Sequence, residues 1–334
     1  MRFRFLIAFT ALPCLFAGTG GAHSAPATEV TSSRESLDDA WWTGPLLAAN
    51  AGTLPQGHFL FEPYFFDSKP IKNVDSKGHS HPVADENGFG SFAYILYGLV
   101  DRFTLGLIPR FGYDEGGAGR GSSSVNLSDW TLQGQYQLTQ FQEGNWIPTI
   151  SFNVGETFPI GHFDRLDRPA DGFGAGAYTT ILSLYSQTYF WMPSGRILRT
   201  RLNLSYALSN GIKLQDASVY GTTEGFLGHA RPTTSVYGDL AFEYSITNNW
   251  VAAIDFWLEQ DGNVRVAGTY PAGIDGNLTP VLSDSGVSRS LYVAPAVEYN
   301  LSSTLGVIVG ARVFAAGRNE TALVTPVVAI NYVH

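Results

Sequence analysis

The sequence of 334 residues contains one cysteine, Cys14. It lies inside an N-terminal apolar run, behind Pro13, where a lipoprotein cleavage site needs a small residue. An exported chain without it carries no thiol, which excludes disulfides and cysteine-ligated metal. Charge is sparse as well: 15% of residues are Asp, Glu, Lys or Arg, against about 25% in soluble domains. The balance is acidic, 29 acids to 20 bases, and this argues against nucleic acid as a partner. Beyond the N-terminal run no stretch of about 18 apolar residues occurs, which excludes a spanning helix. Signatures of catalysis are missing too. There is no Gly-x-Ser-x-Gly and no His-Glu-x-x-His, and Gly172, Gly174 and Gly176 open a strand rather than a helix, so they are not a phosphate loop. No cofactor and no defined metal site is expected.

The first feature present is an export signal. Met1-Arg2-Phe3-Arg4, an apolar run over 5–17 and small residues after it predict a signal peptide over 1–24, with cleavage as late as 27. Its loss removes Arg2 and Arg4 and makes the formal charge of −9 two units more negative. Residues 25–56 sustain no hydrophobic period. They read either as a periplasmic arm or as a plug segment folded into or under the rest, the latter because Trp41-Trp42 left in water would be a sticky patch.

From 57 to 334 the chain reads as twelve strands. They are predicted over 58–66, 89–99, 103–113, 128–138, 146–158, 175–190, 197–208, 236–245, 250–259, 291–299, 305–313 and 324–332. Residues 128–138 show the cleanest alternation, Trp130, Leu132, Gly134, Tyr136 and Leu138 against Thr131, Gln133, Gln135 and Gln137. The final three strands follow it: Leu291, Val293, Pro295, Val297 and Tyr299 alternate with small or polar residues, and so do their counterparts up to Tyr332. Such alternation means a half-buried strand. The connections alternate long and short, and a soluble sandwich has no reason to place its long loops at one end. Outer-membrane barrels do, with short periplasmic turns, longer outer loops and an even strand number. In hydrocarbon every backbone group must be paired within the sheet, which only a closed barrel achieves. The expected fold is an all-β, closed up-and-down antiparallel transmembrane barrel of about 12 strands in a bacterial outer membrane, facing lipid and lipopolysaccharide.

Two residue sets follow from that frame. Beside the short turns on the oily face stand Phe103, Trp146, Tyr244, Trp250, Tyr299 and Tyr332, which suit an interfacial girdle. The opposite face gathers Glu62, Arg110, Arg199, Arg201, Asp239, Glu243, Asp255, Trp257, Glu259, Glu298 and Arg312. Charges on such strands must point to the lumen, where they either pair with one another or line a solute path. Twelve strands lie between a filled eight-stranded barrel and an open porin, so a narrow, partly obstructed passage is expected. In the loops, His79-Ser80-His81 with Asp75, Asp85 and Glu86 lacks the ligand set of a defined metal site. The run 164–171 offers calcium or lipopolysaccharide phosphate contacts, or simply Arg–Asp pairing within itself.

The stretch from Trp42 through Gly44-Pro45-Leu46-Leu47-Ala48-Ala49-Asn50-Ala51-Gly52 to Gly57-His58, running into Phe61-Glu62-Pro63-Tyr64, resembles the outer-membrane transporters grouped as the MetA-pathway phenol-degradation family. Pro148 to Gly161 and the closing Gly306 to Tyr332 are similar to it too, so the resemblance covers most of 42–334. It implies a barrel that admits hydrophobic or aromatic compounds, and it supplies no binding residues. Outer-membrane barrels usually end in an aromatic residue that the assembly machinery reads, whereas this chain ends Tyr332-Val333-His334. The expected role is passive passage of small organic solutes. The alternatives are a structural or adhesive barrel with partner-binding loops, and a membrane-embedded lipid hydrolase, for which His58, assigned inward, is the only strand histidine before the terminus.

Overall fold

The computed structural model describes residues 34–84, 87–116, 121–232, 234–271 and 278–334. The predicted signal peptide, the first part of the arm, Asp85 and Glu86 lie outside them. In chain order the strands are β1 (Phe59–Val74), β2 (Ser80–His81), β3 (Gly88–Val100), β4 (Phe103–Ile108), β5 (Arg110–Asp114), β6 (Asn126–Leu127) and β7 (Trp130–Thr139). There follow β8 (Thr149–Phe158), β9 (Thr179–Trp191), β10 (Ile197–Ser209), β11 (Ile212–Gln215), β12 (Leu227–Arg231), β13 (Ser235–Ser245) and β14 (Trp250–Asp261). The last are β15 (Arg265–Tyr270), β16 (Thr279–Asp284), β17 (Ser288–Asn300), β18 (Leu305–Arg318) and β19 (Glu320–Val333).

Twelve staves make a closed antiparallel wall. β1 pairs with β3 on one side and with β19 on the other, Leu60 opposite both Leu96 and Val333, so the first and last staves seal the sheet without an edge. One stave is two strands, β4 and β5, parted at Pro109, which has no N–H to give the ladder. Because side chains alternate across a strand, each stave divides its residues between two surroundings. Outward residues such as Leu204, Leu258 and Val309 are exposed, while inward Glu243, Glu298 and Asp255 have no accessible surface. That inversion of a soluble protein is what a hydrocarbon exterior demands.

Several expected boundaries move. β1 runs on to Val74, past the predicted end at 66, because its hydrogen bonds to β19 continue after its side chains turn polar. Strand β8 begins only at Thr149, since Pro148 precedes it, and Trp146 stands on the turn instead. β9 starts at Thr179 rather than 175, after Gly174 and Gly176 with positive φ. The last outer connection is not a loop over 314–323 but the single residue Asn319 with φ 54°, a conformation asparagine tolerates. The stretches read as loops over 209–232 and 260–286 contain four short strands that form a separate sheet in the order β11-β12-β15-β16. Its core is Leu214, Phe226, Ala230 and Val266. Phe226 lies over Gly228 and Gly268, which are paired across β12 and β15, so a Cβ on either would strike the ring.

Candidate functional site

The site is the lumen, and its floor at the short-turn end is a strap of chain that precedes the wall. Residues 34–57 enter beside the turn between β9 and β10. Glu35 is held there by Arg196 Nη1 at 2.9 Å, Ser245 Oγ at 2.9 Å and the amide of Ile197 at 3.2 Å, while Trp191 Nε1 donates to its carbonyl at 2.8 Å. Arg34 lies 3.9 Å over the Trp191 ring. The strap then crosses to β14 and β17. The amides of Thr43 and Gly44 donate to Glu298 Oε2 at 2.7 and 3.0 Å, and those of Leu46, Leu47 and Ala48 to the Asp255 carboxylate at 3.1, 3.3 and 3.0 Å. A chain that forms no sheet or helix has to place its N–H groups somewhere when buried, and here wall carboxylates take them.

Carbonyl groups of the same strap are met from the other wall. Arg201 Nη1 donates to Ala48 O at 2.8 Å, Asn203 Nδ2 to Ala49 O at 3.1 Å and Gln135 Nε2 to Asn50 O at 2.9 Å. Further on, Thr53 donates to Gln137 and Leu54 to Thr104, after which the chain turns into β1. Leu46 packs against Tyr64, Ala253, Ala294, Ala296, Ile308 and Ala329. The approach is close: Gly306 faces Thr43, and a Cβ at Gly306 would collide with the threonine hydroxyl. Gly44 itself has φ +128°, which an L side chain rarely adopts.

Of the charged positions assigned to the lumen by alternation, Glu62, Arg199, Arg201, Asp239, Glu243, Asp255 and Glu298 are buried. Arg199 forms a two-pronged pair with Glu243, one arm at 2.7 Å, and Arg201 Nε reaches the same carboxylate at 3.0 Å. Arg199 also covers the Trp42 ring at 4.5 Å, tying the strap to the pair. Glu62 accepts from Asn331 Nδ2 at 3.0 Å. On the long-loop side of the strap the lining turns aromatic. Trp257 stacks on Tyr237 with centroids 5.3 Å apart and donates to Glu259 at 3.0 Å. Arg312 lies 4.1 Å over Tyr292 and Arg110 5.3 Å over Phe92, which itself stacks on Tyr64. Asp239, opposite Trp257, is buried. The sequence reading placed Gln135, Gln137, Asn203 and Asn331 on the polar faces of their strands without singling them out as lumen residues, and it did not assign Tyr64 or Phe92 to the lumen. Tyr64 follows Glu62 at period two, whereas Phe92 lies on a strand with apolar residues on both faces.

The aromatic residues assigned to the girdle gather at the short turns. Trp250 and Tyr299 are cross-strand neighbours with rings 4.6 Å apart, Tyr244 OH contacts Ser194 on a turn, Phe103 faces outward below Gly134, Trp146 is 87% exposed, and Tyr332 stacks on His334. His58 is exposed and lies before β1 rather than within it, so it does not face the lumen as a strand residue. Among the described residues His81 and His229 are the strand histidines instead, both in the outer connections.

The loop candidates resolve into turns. Asp75 accepts from the amides of Lys77 and His79 and touches both imidazoles, at 3.3 and 3.2 Å. Those bonds hold its carboxyl well below the usual range. In the run 164–171, Asp164 and Asp171 take hydrogen bonds from outside the run, with Arg168 acting on Asp171 only as a nearby charge. Asp164 takes the amide of Gln215, and Asp171 takes the amide of Ser123 at 2.6 Å, which lowers its pKa. Among the described residues no group of three His, Cys, Asp or Glu is placed to hold a metal ion.

With this geometry in hand, the fold can be compared. The COG4313 outer membrane channel from Pseudomonas putida F1 superposes with a TM-score of 0.65 over 86% of this chain and 100% of that one, at 14% identity. The chain shares its barrel fold. The beta domain of the Bordetella autotransporter BrkA covers 83% of this chain and 99% of its own at TM-score 0.44 and 10% identity, and the TodX monoaromatic hydrocarbon channel 84% and 90% at 0.37 and 12%. No protein-family model and no curated protein matches the sequence.

Proposed function

We propose that the protein is an outer-membrane channel through which small organic solutes pass down their gradient, with residues 34–57 as the plug of its periplasmic mouth. The observation that carries the reading is the manner in which the strap is held. Its docking uses mainly backbone amides and wall carboxylates, bonds that water can replace, with one apolar patch around Leu46. A permanent seal would be expected to be greasy. The similarity of the wall to the COG4313 channel supports the same reading. The mixed polar and aromatic lining beyond the strap favours organic solutes over bulk water and salt, and aromatic compounds are what the family resemblance implies.

The test is solute flux into liposomes carrying the purified protein, alongside planar-bilayer conductance. Uptake of small organic solutes, increased when residues 34–56 are deleted, is the expected result. No permeation by any solute, with or without the strap, defeats the proposal and leaves the structural or adhesive barrel.

A further inference from the structure

Four inward side chains midway up the wall share one condition. Asp239 on β13, Asn203 on β10, Gln187 on β9 and Asn153 on β8 are all more than nine-tenths buried. Both carboxylate oxygens of Asp239 and the amide oxygens of the other three have no hydrogen-bond partner among the described residues. Asn203 and Asp239 stand directly opposite one another across β10 and β13. The orientation of Asn203 is fixed by chemistry, since its Nδ2 donates to the Ala49 carbonyl at 3.1 Å and a carbonyl only accepts. Gln187 commits its Nε2 to the Tyr189 hydroxyl at 2.6 Å. The Asn203 oxygen left over is therefore an acceptor.

The balance of charge around them has the same sign. The buried inner wall carries Glu62, Asp239, Glu243, Asp255 and Glu298 against Arg199 and Arg201. Both guanidiniums are engaged with Glu243, and the strap amides reach Glu298 Oε2 and both oxygens of Asp255. Asp239 is the carboxylate with neither oxygen hydrogen-bonded among the described residues, the Arg201 charge acting on it only at longer range. A buried carboxylate facing the unmatched Asn203 oxygen favours a group that donates and carries positive charge. Facing it from the next stave is Trp257, stacked on Tyr237 at 5.3 Å with the rings 17° from parallel. Aromatic faces attract cations.

We propose that this cluster is a binding site for the ammonium group of an amine solute. Asp239 is the counter-ion, the Asn203 oxygen a second acceptor, and the Tyr237–Trp257 pair the platform for the solute's organic part. The inference rests on the channel reading and names the solute class the lumen selects. One carboxylate matches one positive charge, and an alkali cation presents the same charge, so the experiment separates the two.

Full-length protein in detergent is titrated calorimetrically with benzylamine, with uncharged benzyl alcohol and with potassium chloride. Benzylamine is expected to bind, benzyl alcohol about tenfold or more weakly, and Asp239→Asn to lower benzylamine affinity by about tenfold, as loss of a charge-assisted bond does. Trp257→Leu is expected to weaken the amine and leave potassium unchanged. Equal affinity for amine and alcohol, or an Asp239→Asn protein that binds as the parent does, overturns the site. Potassium binding as tightly as benzylamine overturns the solute class. Should Asp239→Asn fail to fold, judged by loss of the heat-modifiable band on a gel, the amine-to-alcohol contrast in the parent protein decides alone. Binding needs no conduction: a protein that takes up benzylamine yet passes no solute sinks the channel and keeps the site.

Discussion

At the short-turn end the strap meets the wall through Glu298, Asp255, Arg201, Asn203 and Gln135, each bonded to its backbone. At the long-loop end the four-stranded sheet excludes water with Leu214, Phe226, Ala230 and Val266, none of them polar. The two regions are both buried, yet they differ in how they can come apart. Each strap bond has a substitute in water, so its net contribution is about 1.5–3 kcal/mol where a charge takes part. Separating the outer cluster exposes apolar surface at about 25 cal/mol per Å², for which water offers no substitute. On the proposed channel reading the more polar end, with its one apolar patch around Leu46, is the end that moves, and the apolar end the one that stays.

Deleting residues 34–56 breaks the comparison most completely. Single-channel conductance is expected to rise severalfold, while the amides of β12 and β15 keep their hydrogen-exchange protection. Next in size is Phe226→Ala, which empties the ring position over Gly228 and Gly268. It is expected to cost the outer sheet about 3–5 kcal/mol, seen as lost exchange protection in β11, β12 and β15, with conductance unaltered. Asp255→Asn comes third. It keeps the shape but weakens three strap bonds, so the strap amides should exchange about tenfold faster and brief openings should appear in bilayer recordings; a recording indistinguishable from the parent would show that the strap is a fixed part of the wall.

The smallest effect is one of pH. Asp171 has its pKa lowered from the ordinary 3.8 by the amide of Ser123, with the Ser123 side chain and Asn126 helping. A carboxylate with a depressed folded value contributes its full stability above the unfolded value and loses it as pH falls through the folded one. The contact between the 115–129 and 159–178 connections should thus be intact at neutral pH and fail only below about pH 4. Amide exchange of Ser123 followed between pH 5 and 2 tests this, and Asp171→Asn should abolish the dependence.

Much of the wall was legible because lipid imposes a strict rule. Leu291, Val293, Pro295, Val297 and Tyr299 follow one another at every second position, and all twelve staves were found, although β1 runs eight residues and β18 five residues past the predicted ends. The plug was legible only as a choice between two readings. Its bonds run from backbone N–H groups, which every sequence offers equally, to Glu298 and Asp255, which as letters look like any lumen charge. The outer sheet was missed for a different reason. β11 has four residues and β12 five, too short to show a period, and the glycine pair that lets Phe226 sit down reads as loop composition. Within 164–171 the hydrogen bonds to Asp164 and Asp171 come from the Gln215 and Ser123 amides, brought near by other connections, while Arg168 acts on Asp171 only as a nearby charge, and no spacing in the run shows this.

The seam between β1 and β19 joins the two staves farthest apart in sequence, and Phe59 and His334 exchange both of their backbone bonds across its lower end. Such a remote pairing is the slowest to form. Until it does, the cylinder is an open sheet with the Arg199–Glu243 layer facing solvent. Since the strap leads directly into β1, it can be laid onto that layer sideways during assembly and then enclosed. Maturation in the membrane would on this account fill the bore first and zip the wall second, with no need to thread a chain through a finished hole.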